Sequence, residues 1–221
     1  LTISSYILSA NMQEVILHIG VHKTGTSSIQ NALHRFDDGG TFYAQLGNNN
    51  HSIAMHTIFS SDYRNFHIWK LQGITDQEID NLRNKFLEAL KAQISRKDRR
   101  RLVVCAEDVC ILKEDEKKKL VEFFTASGVA LKIVCYVRNP ARLAASSFQE
   151  RVKAGKNEPL LEPYPSFGEI LEPFEKLIHK NDILVRYFSR ENMEEQCVVK
   201  DFCSVLNIEI DKVVDLNESM P

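Results

Sequence analysis

The sequence predicts a three-layer α/β/α sandwich built on a mainly parallel sheet, and three observations carry that expectation. Short apolar, β-branched runs recur at 15–19, 102–106, 131–137 and 183–187, with the length and content of buried strands. Stretches with helical spacing separate these runs, and strands alternating with helices imply a parallel sheet covered on both faces. Between the first run and the first helix lies a short loop of small and hydroxylated residues around one lysine, GVHKTGT at 20–26. A strand, a Gly/Ser/Thr loop and a helix in succession form a phosphate-binding device, because loop amides and first-turn amides point into one concavity.

The elements follow in order. After the loop, a helix is expected over 26–35, stopping before Asp37, Asp38, Gly39 and Gly40, with a short second strand at 41–44. Residues 47–73 show no clear period and read as acceptor-side loops and short helices, since irregular stretches within a regular scaffold often carry function. The stretch 75–94 is an amphipathic helix with Ile79, Leu82, Phe86, Leu87 and Leu90 as its apolar stripe. Arg96, Lys97, Arg99, Arg100 and Arg101 follow, read as a solvated helix-to-strand connection rather than an anion patch. A helix at 114–125 places its acids before its lysines, in accord with the helix dipole. Pro140 opens a helix reaching Val152, a favoured first-turn use of proline. Residues 155–165 hold three of the six prolines and read as a surface loop. Helices are expected at 166–180 and 189–206.

Length and composition bound the rest. With 221 residues the chain can bury a full core as one domain, with 1–11 as a tail. Twenty-eight basic against thirty acidic residues give a net charge of −2, so no global basic field advertises nucleic acid. No apolar run approaches the ~18 residues of a membrane span. Residues 1–11 lack the basic start and apolar centre of a signal peptide, and Met12 reads as a plausible native start. Five scattered cysteines without a CxxC argue for a reducing compartment, hence a cytoplasmic protein.

Ligands of parallel α/β sheets bind beyond the carboxyl ends of the strands. Lys23 with its loop, Glu107, Arg138 and Tyr187 each follow or end a different predicted strand, so they share one rim. In the loop, the hydroxyls of Thr24, Thr26, Ser27 and Ser28 would add donors beside Lys23, His22 and Gly25. The nucleotide-kinase pattern sets Lys after the last glycine and Ser or Thr after Lys, where the hydroxyl can hold magnesium. Here Lys23 precedes Gly25 and no GK[ST] occurs.

That displaced lysine resembles the 5′-phosphosulfate loop of the sulfotransferases, whose donor is 3′-phosphoadenosine 5′-phosphosulfate (PAPS) and whose product is adenosine 3′,5′-bisphosphate (PAP). The stretch YVRNPARLAASSF, with Arg138 at a strand end and Ser146 eight residues on, resembles the family's second signature, which grips the donor's 3′-phosphate. Glu107, ending LVVCAED, is similar to the glutamate base of the heparan sulfate and bacterial branch, where other members carry histidine. A carboxylate at an apolar strand end gains basicity when desolvation raises its pKa. A magnesium carboxylate and a plain surface acid are the alternatives at that position. Tyr187 resembles the strand-end tyrosine near the adenine, although Phe188 replaces the usual following acid; the family's tryptophan beside the first loop is replaced by Ser27 and Ser28. His51, in NNNHS, is a second candidate for acceptor binding or base.

The resemblance therefore implies a P-loop-type fold and a transferase. It moves a sulfuryl group in line from PAPS to a hydroxyl or amine of a small-molecule or carbohydrate acceptor, with no metal. Residues 217–221 resemble the late NxS segment of bacterial members, which implies a C-terminal end truncated before the part that closes over the donor. A P-loop small-molecule kinase and an inactive nucleotide-binding module are the rival readings.

Overall fold

The computed structural model of the chain describes residues 12–21, 23–153, 155 and 166–214. Five strands, β1 Glu14–His18, β2 Thr41–Tyr43, β3 Arg101–Cys105, β4 Ala130–Val137 and β5 Ile183–Tyr187, form one sheet. Every pairing is parallel, in the order β2-β3-β1-β4-β5. The helices among the described residues are α1 Thr26–Leu33, α2 Ser52–Phe59, α3 His67–Gln72, α4 Asp76–Ile94, α5 Glu114–Ala126, α6 Pro140–Lys153, α7 Phe167–Glu175, α8 Val198–Leu206 and α9 Asp211–Val214.

Successive strand side chains point to opposite faces, and both faces are buried. Val15, Leu17, Leu102, Val104, Leu131, Ile133 and Cys135 pack with Leu90 of α4, Leu120 and Phe124 of α5 and Phe174 of α7. Ile16, Val103, Cys105, Val134 and Tyr136 pack on the other side with Ile29 and Leu33 of α1 and Val199 and Phe202 of α8. This is the expected three-layer sandwich. Each fully buried aliphatic of these layers stabilises it by roughly 1.5–3 kcal/mol.

Local chemistry sets the element ends. Thr75 and Glu78 form a reciprocal capping box at the start of α4, and Ser166 and Glu169 form another at α7. Asn139 caps α6, its Oδ1 accepting from the Ala141 amide at 3.0 Å, and Pro140 fills the first turn. Residues 47–73 resolve into α2, a short 3-10 turn and α3, joined by a satellite cluster of Phe66, Trp69 and Ile79.

The basic stretch is neutralised locally. Arg99 pairs with Asp37 at 2.7 Å, Arg96 with Asp98 at 2.8 Å and Arg101 with Glu14 at 2.5 Å. Arg101 and Glu14 begin their strands, so this cluster lies at the end of the sheet opposite the rim.

Two helices are shorter than expected. The α7 helix stops at Glu175, because Leu177 and Ile178 both turn their amides to the Phe174 carbonyl and pack against the core. The stretch 189–206 is helical only from Val198. Residues 190–192 and 194–196 are separate 3-10 turns, and Glu195 and Gln196 sit at φ of 45° and 60°. The loop at 156–165, the tail at 1–11 and the NxS segment at 217–221 lie outside the described residues.

Candidate functional site

The rim is organised by the loop that joins β1 to α1. Lys23 and Gly25 both occupy the left-handed region, at φ of 68° and 76°. Two such residues flanking Thr24 turn the chain sharply between β1 and α1. Glycine is required at position 25 for a second reason. A Cβ there would lie 2.8 Å from Val198 Cγ1 and 2.9 Å from Phe188 Cε2. The loop is thus pressed against the segment that follows β5.

The four hydroxyls expected to face an anion divide into two pairs. Thr24 is buried and donates to the Val21 carbonyl at 2.5 Å, so its proton is spent on the shape of the loop. Thr26 is also buried, and its Oγ1 has no hydrogen-bond partner among the described residues. Ser27 and Ser28 are exposed on the first turn of α1. The amides of Thr26 and Ser27 belong to that turn, where helix geometry supplies no intrahelical acceptor. His22 lies outside the described residues.

Beneath the loop is the ring of His18, at the end of β1. It is fully buried, edge-on to Tyr136 and tilted against Phe202 at 5.2 Å, and neither nitrogen has a partner among the described residues. A Cβ on Gly20 would lie 2.7 Å from its Nε2. Burial holds the imidazole down at a pKa of about 4, with the charge of Glu107 opposing the shift, so the ring is neutral near pH 7.

Glu107 opens the 3-10 turn that follows β3, beside the strand that carries the loop. It is half-buried, and Asn50 Nδ2 donates to its Oε1 at 3.3 Å. Asn50 in turn accepts from the Ser52 amide, and Ser52 Oγ accepts from the Asp108 amide at 3.1 Å. The segment before α2 is therefore laced to the end of β3 with a carboxylate at its edge.

His51 occupies a different environment from the one its loop sequence suggests. It is fully buried; Nε2 donates to the Ala44 carbonyl at 2.9 Å and Nδ1 accepts from the Cys105 amide at 3.0 Å. Those two bonds fix the tautomer and use both nitrogens. Burial lowers its pKa to about 3. In this wiring the ring links the chain after β2 to β3, with both nitrogens engaged.

A cleft of about 690 Å³ opens beside the loop, lined among others by Ser28, Arg138, Arg142, Phe188, Arg190, Met193 and Val198. That volume lies within the range of small-molecule sites. Arg138 follows β4; its Nη1 donates to the Lys23 carbonyl at 2.9 Å, and its guanidinium sits 5.4 Å from the Phe188 ring centroid. Ser146 lies half-buried further along α6, and Tyr187 ends β5 at 45% exposure; neither lines this cleft. The aromatic wall is supplied by Phe188, one residue on.

The segment after β5 is held by a buried carboxylate. Asp201 of α8 accepts from Tyr136 Oη at 2.6 Å, from Arg186 Nε at 3.1 Å and from the Glu194 amide at 3.2 Å, and Arg186 Nη2 also donates to its Oδ1. Burial alone would raise the Asp201 carboxyl, but these donors hold it below the usual range. One side chain thereby ties β4, β5, α8 and the left-handed turn at 195–196 together. The cleft residues of 189–199 were hidden within an expected helix. The legible sign was the apolar stripe of Val198, Val199, Phe202 and Leu206, which has no continuation before 198.

No group of three His, Cys, Asp or Glu side chains converges as metal ligands among the described residues. Among them, too, no helix is long and apolar enough to cross a membrane. All five cysteines are free thiols.

No protein-family model matches the sequence, and no curated protein matches it. Among solved structures the chain is similar to the Deinococcus radiodurans tunicamycin resistance protein, at 14% identity over 89% of this chain and 97% of that one, with a TM-score of 0.45. It is similar to mouse sulfotransferase SULT7A1 complexed with PAP, at 16% identity over 94% of this chain and a TM-score of 0.43, and spans 65% of that protein's length. A third similarity, at 11% identity over 94% and 89% of the two chains with a TM-score of 0.42, is to a structure of the PezAT chromosomal toxin–antitoxin system of Streptococcus pneumoniae.

Proposed function

We propose that this protein is a PAPS-dependent sulfotransferase of the branch with a glutamate base, acting on a hydroxyl or amine of a small-molecule or carbohydrate acceptor. The observation that carries the reading is the junction of loop and cleft. Ser28 of the first turn and Arg138, bonded to Lys23, line one cavity together with Phe188. A nucleotide with its 5′-group on the loop would have an aromatic surface and further guanidiniums beside it. The sequence adds that Lys23 precedes Gly25 without a magnesium-binding GK[ST].

When bound, the donor supplies an activated sulfuryl group on a 5′-phosphate leaving group. Lys23, Gly25, Ser27 and Ser28 would hold that end, and the lysine with the loop amides would stabilise negative charge growing there. Glu107 would accept the acceptor's proton at its carboxylate, with Asn50 orienting it. Thr24 and His51 are given structural roles.

A thermal-shift panel tests the reading. PAP at ~100 times its dissociation constant should stabilise the protein by about 2.7 kcal/mol, with EDTA making no difference. Binding of ATP that requires magnesium, or nucleotide binding abolished by EDTA, hands the site to the kinase reading. An acceptor screen with labelled donor then identifies the substrate.

A further inference from the structure

We infer that His18 is a positioning residue for the β1–α1 loop, joined to Thr26 by a single water buried beneath it. The inference rests on the sulfotransferase reading only for what the loop binds; the link itself stands on the geometry of the loop's underside.

Three polar side chains meet there at 0%, 3% and 3% exposure: His18, Thr26 and Gln30. Among the described residues, both ring nitrogens of His18, Thr26 Oγ1 and Gln30 Nε2 have no hydrogen-bond partner. Few buried polar atoms in folded proteins go without one, because each left unsatisfied costs about 1–3 kcal/mol. The rings packed on His18 are those of Tyr136 and Phe202, and the Tyr136 hydroxyl is already given to Asp201 at 2.6 Å.

Gly20 shows how the two ends of the link lie. A Cβ on Gly20 would stand 2.7 Å from His18 Nε2 and 3.0 Å from Thr26 Oγ1. Both atoms therefore lie within 3.0 Å of one point beside the Gly20 Cα, yet they do not bond each other. One water reaches both at ordinary hydrogen-bond lengths. A side chain at position 20 would press on both atoms, which is a reason for glycine here. Gln30 follows Thr26 by one turn on the buried face of α1, so its amide adds a third polar group to that side. Two to four polar partners are what holds a water inside a protein. The ring is neutral near pH 7, so one of its nitrogens accepts and the other donates.

The water's place gives it a consequence. Thr26 is the first residue of α1, Ser27 and Ser28 beside it are exposed, and Ser28 lines the cleft. Holding Thr26 from beneath fixes the turn that presents those two serines. The Thr26 hydroxyl thus serves the loop's shape, and the donors left to an anion are Ser27 and Ser28.

The test is a double-mutant cycle read by isothermal titration with PAP on wild type, Thr26→Val, His18→Phe and the double variant, with Thr26→Ser as the conservative control. Valine keeps the shape of threonine, and phenylalanine keeps a ring under the loop. Each single variant should weaken PAP by about 3–10-fold, the net worth of one hydrogen bond. The double variant should lose no more than the larger single loss, because both changes break one link. Thr26→Ser should stay within about twofold of wild type. Losses that multiply in the double variant, as a Thr26 hydroxyl bound directly to the anion would give, overturn the inference, and so does unchanged affinity in both single variants. A crystal structure of the wild type should show one ordered water within about 3.2 Å of both His18 Nε2 and Thr26 Oγ1. Its absence overturns the link whatever the titrations give. Wild type that holds this water but binds no PAP overturns the sulfotransferase reading and leaves the link standing.

Discussion

Under the proposed function two side chains are candidates for the acceptor's proton, and their surroundings separate them. Glu107 is half-buried with one carboxylate oxygen held by Asn50, whereas His51 spends both nitrogens on the backbones of β2's end and β3. Glu107→Gln keeps the shape and removes the basicity. It should cut kcat by ~10²–10⁴ and leave PAP affinity unchanged, the signature of a group needed only as the proton moves. His51→Ala should instead lower stability, by roughly 1–3 kcal/mol for each backbone group left unsatisfied, read from a urea melt. Folded His51→Ala without turnover, beside an active Glu107→Gln, reverses the roles. The sequence placed Glu107 well, because a strand end is fixed by the strand. The burial of His51 was not legible, because NNNHS looks like an open loop and the backbone partners at 44 and 105 come from distant chain.

At the scale of elements, the strands and most helices were legible because periodicity and caps agree: Thr75 with Glu78, Asn139 before Pro140, and apolar runs of strand length. The turns after β5 were not. Their conformation depends on Asp201, which lies beyond them in sequence and draws the Glu194 amide, Arg186 and Tyr136 to one buried carboxylate. Breaking a buried charged network by removing one partner typically costs 3–5 kcal/mol. Asp201→Ala should destabilise by about that amount, whereas Tyr136→Phe, which removes a single donor to the carboxylate, should cost about 1.5–3 kcal/mol. Because the same carboxylate anchors the segment bearing Phe188 and Arg190, Asp201→Asn should also weaken PAP under the proposed function. Denaturant melts alongside nucleotide titration check both effects. A variant with native stability and native affinity would show that the segment stands without this anchor.

Across the whole molecule, the sheet sends its carboxyl ends to one rim and buries two neutral histidines, His18 under the β1–α1 loop and His51 behind β3. That pairing makes stability depend on pH in a defined direction. The native rings titrate near pH 4 and 3, against an ordinary value of 6.5. Between pH 6.5 and about 4 the unfolded chain therefore binds protons that the native state refuses. Stability is fully present above 6.5 and falls as pH drops, approaching about 1.4 kcal/mol per pH unit for each histidine. Carboxylates held low by their donors, Asp201 among them, add their losses only at more acid pH, as they protonate. His18 is the better probe, since its nitrogens have no partner to lose among the described residues and its neighbours Tyr136 and Phe202 are aromatic. His18→Phe removes the titrating group and keeps a ring in the site. Urea midpoints measured from pH 4.5 to 8 should slope less steeply in this variant than in wild type below pH 6.5, the remaining slope coming from His51 and His56, whose pKa values burial also lowers. The variant should gain most on wild type at pH 4.5 and least at pH 8. Parallel curves for the two proteins would mean that His18 does not stay neutral beneath the loop, and the acid limb would then belong to His51 and the carboxylates.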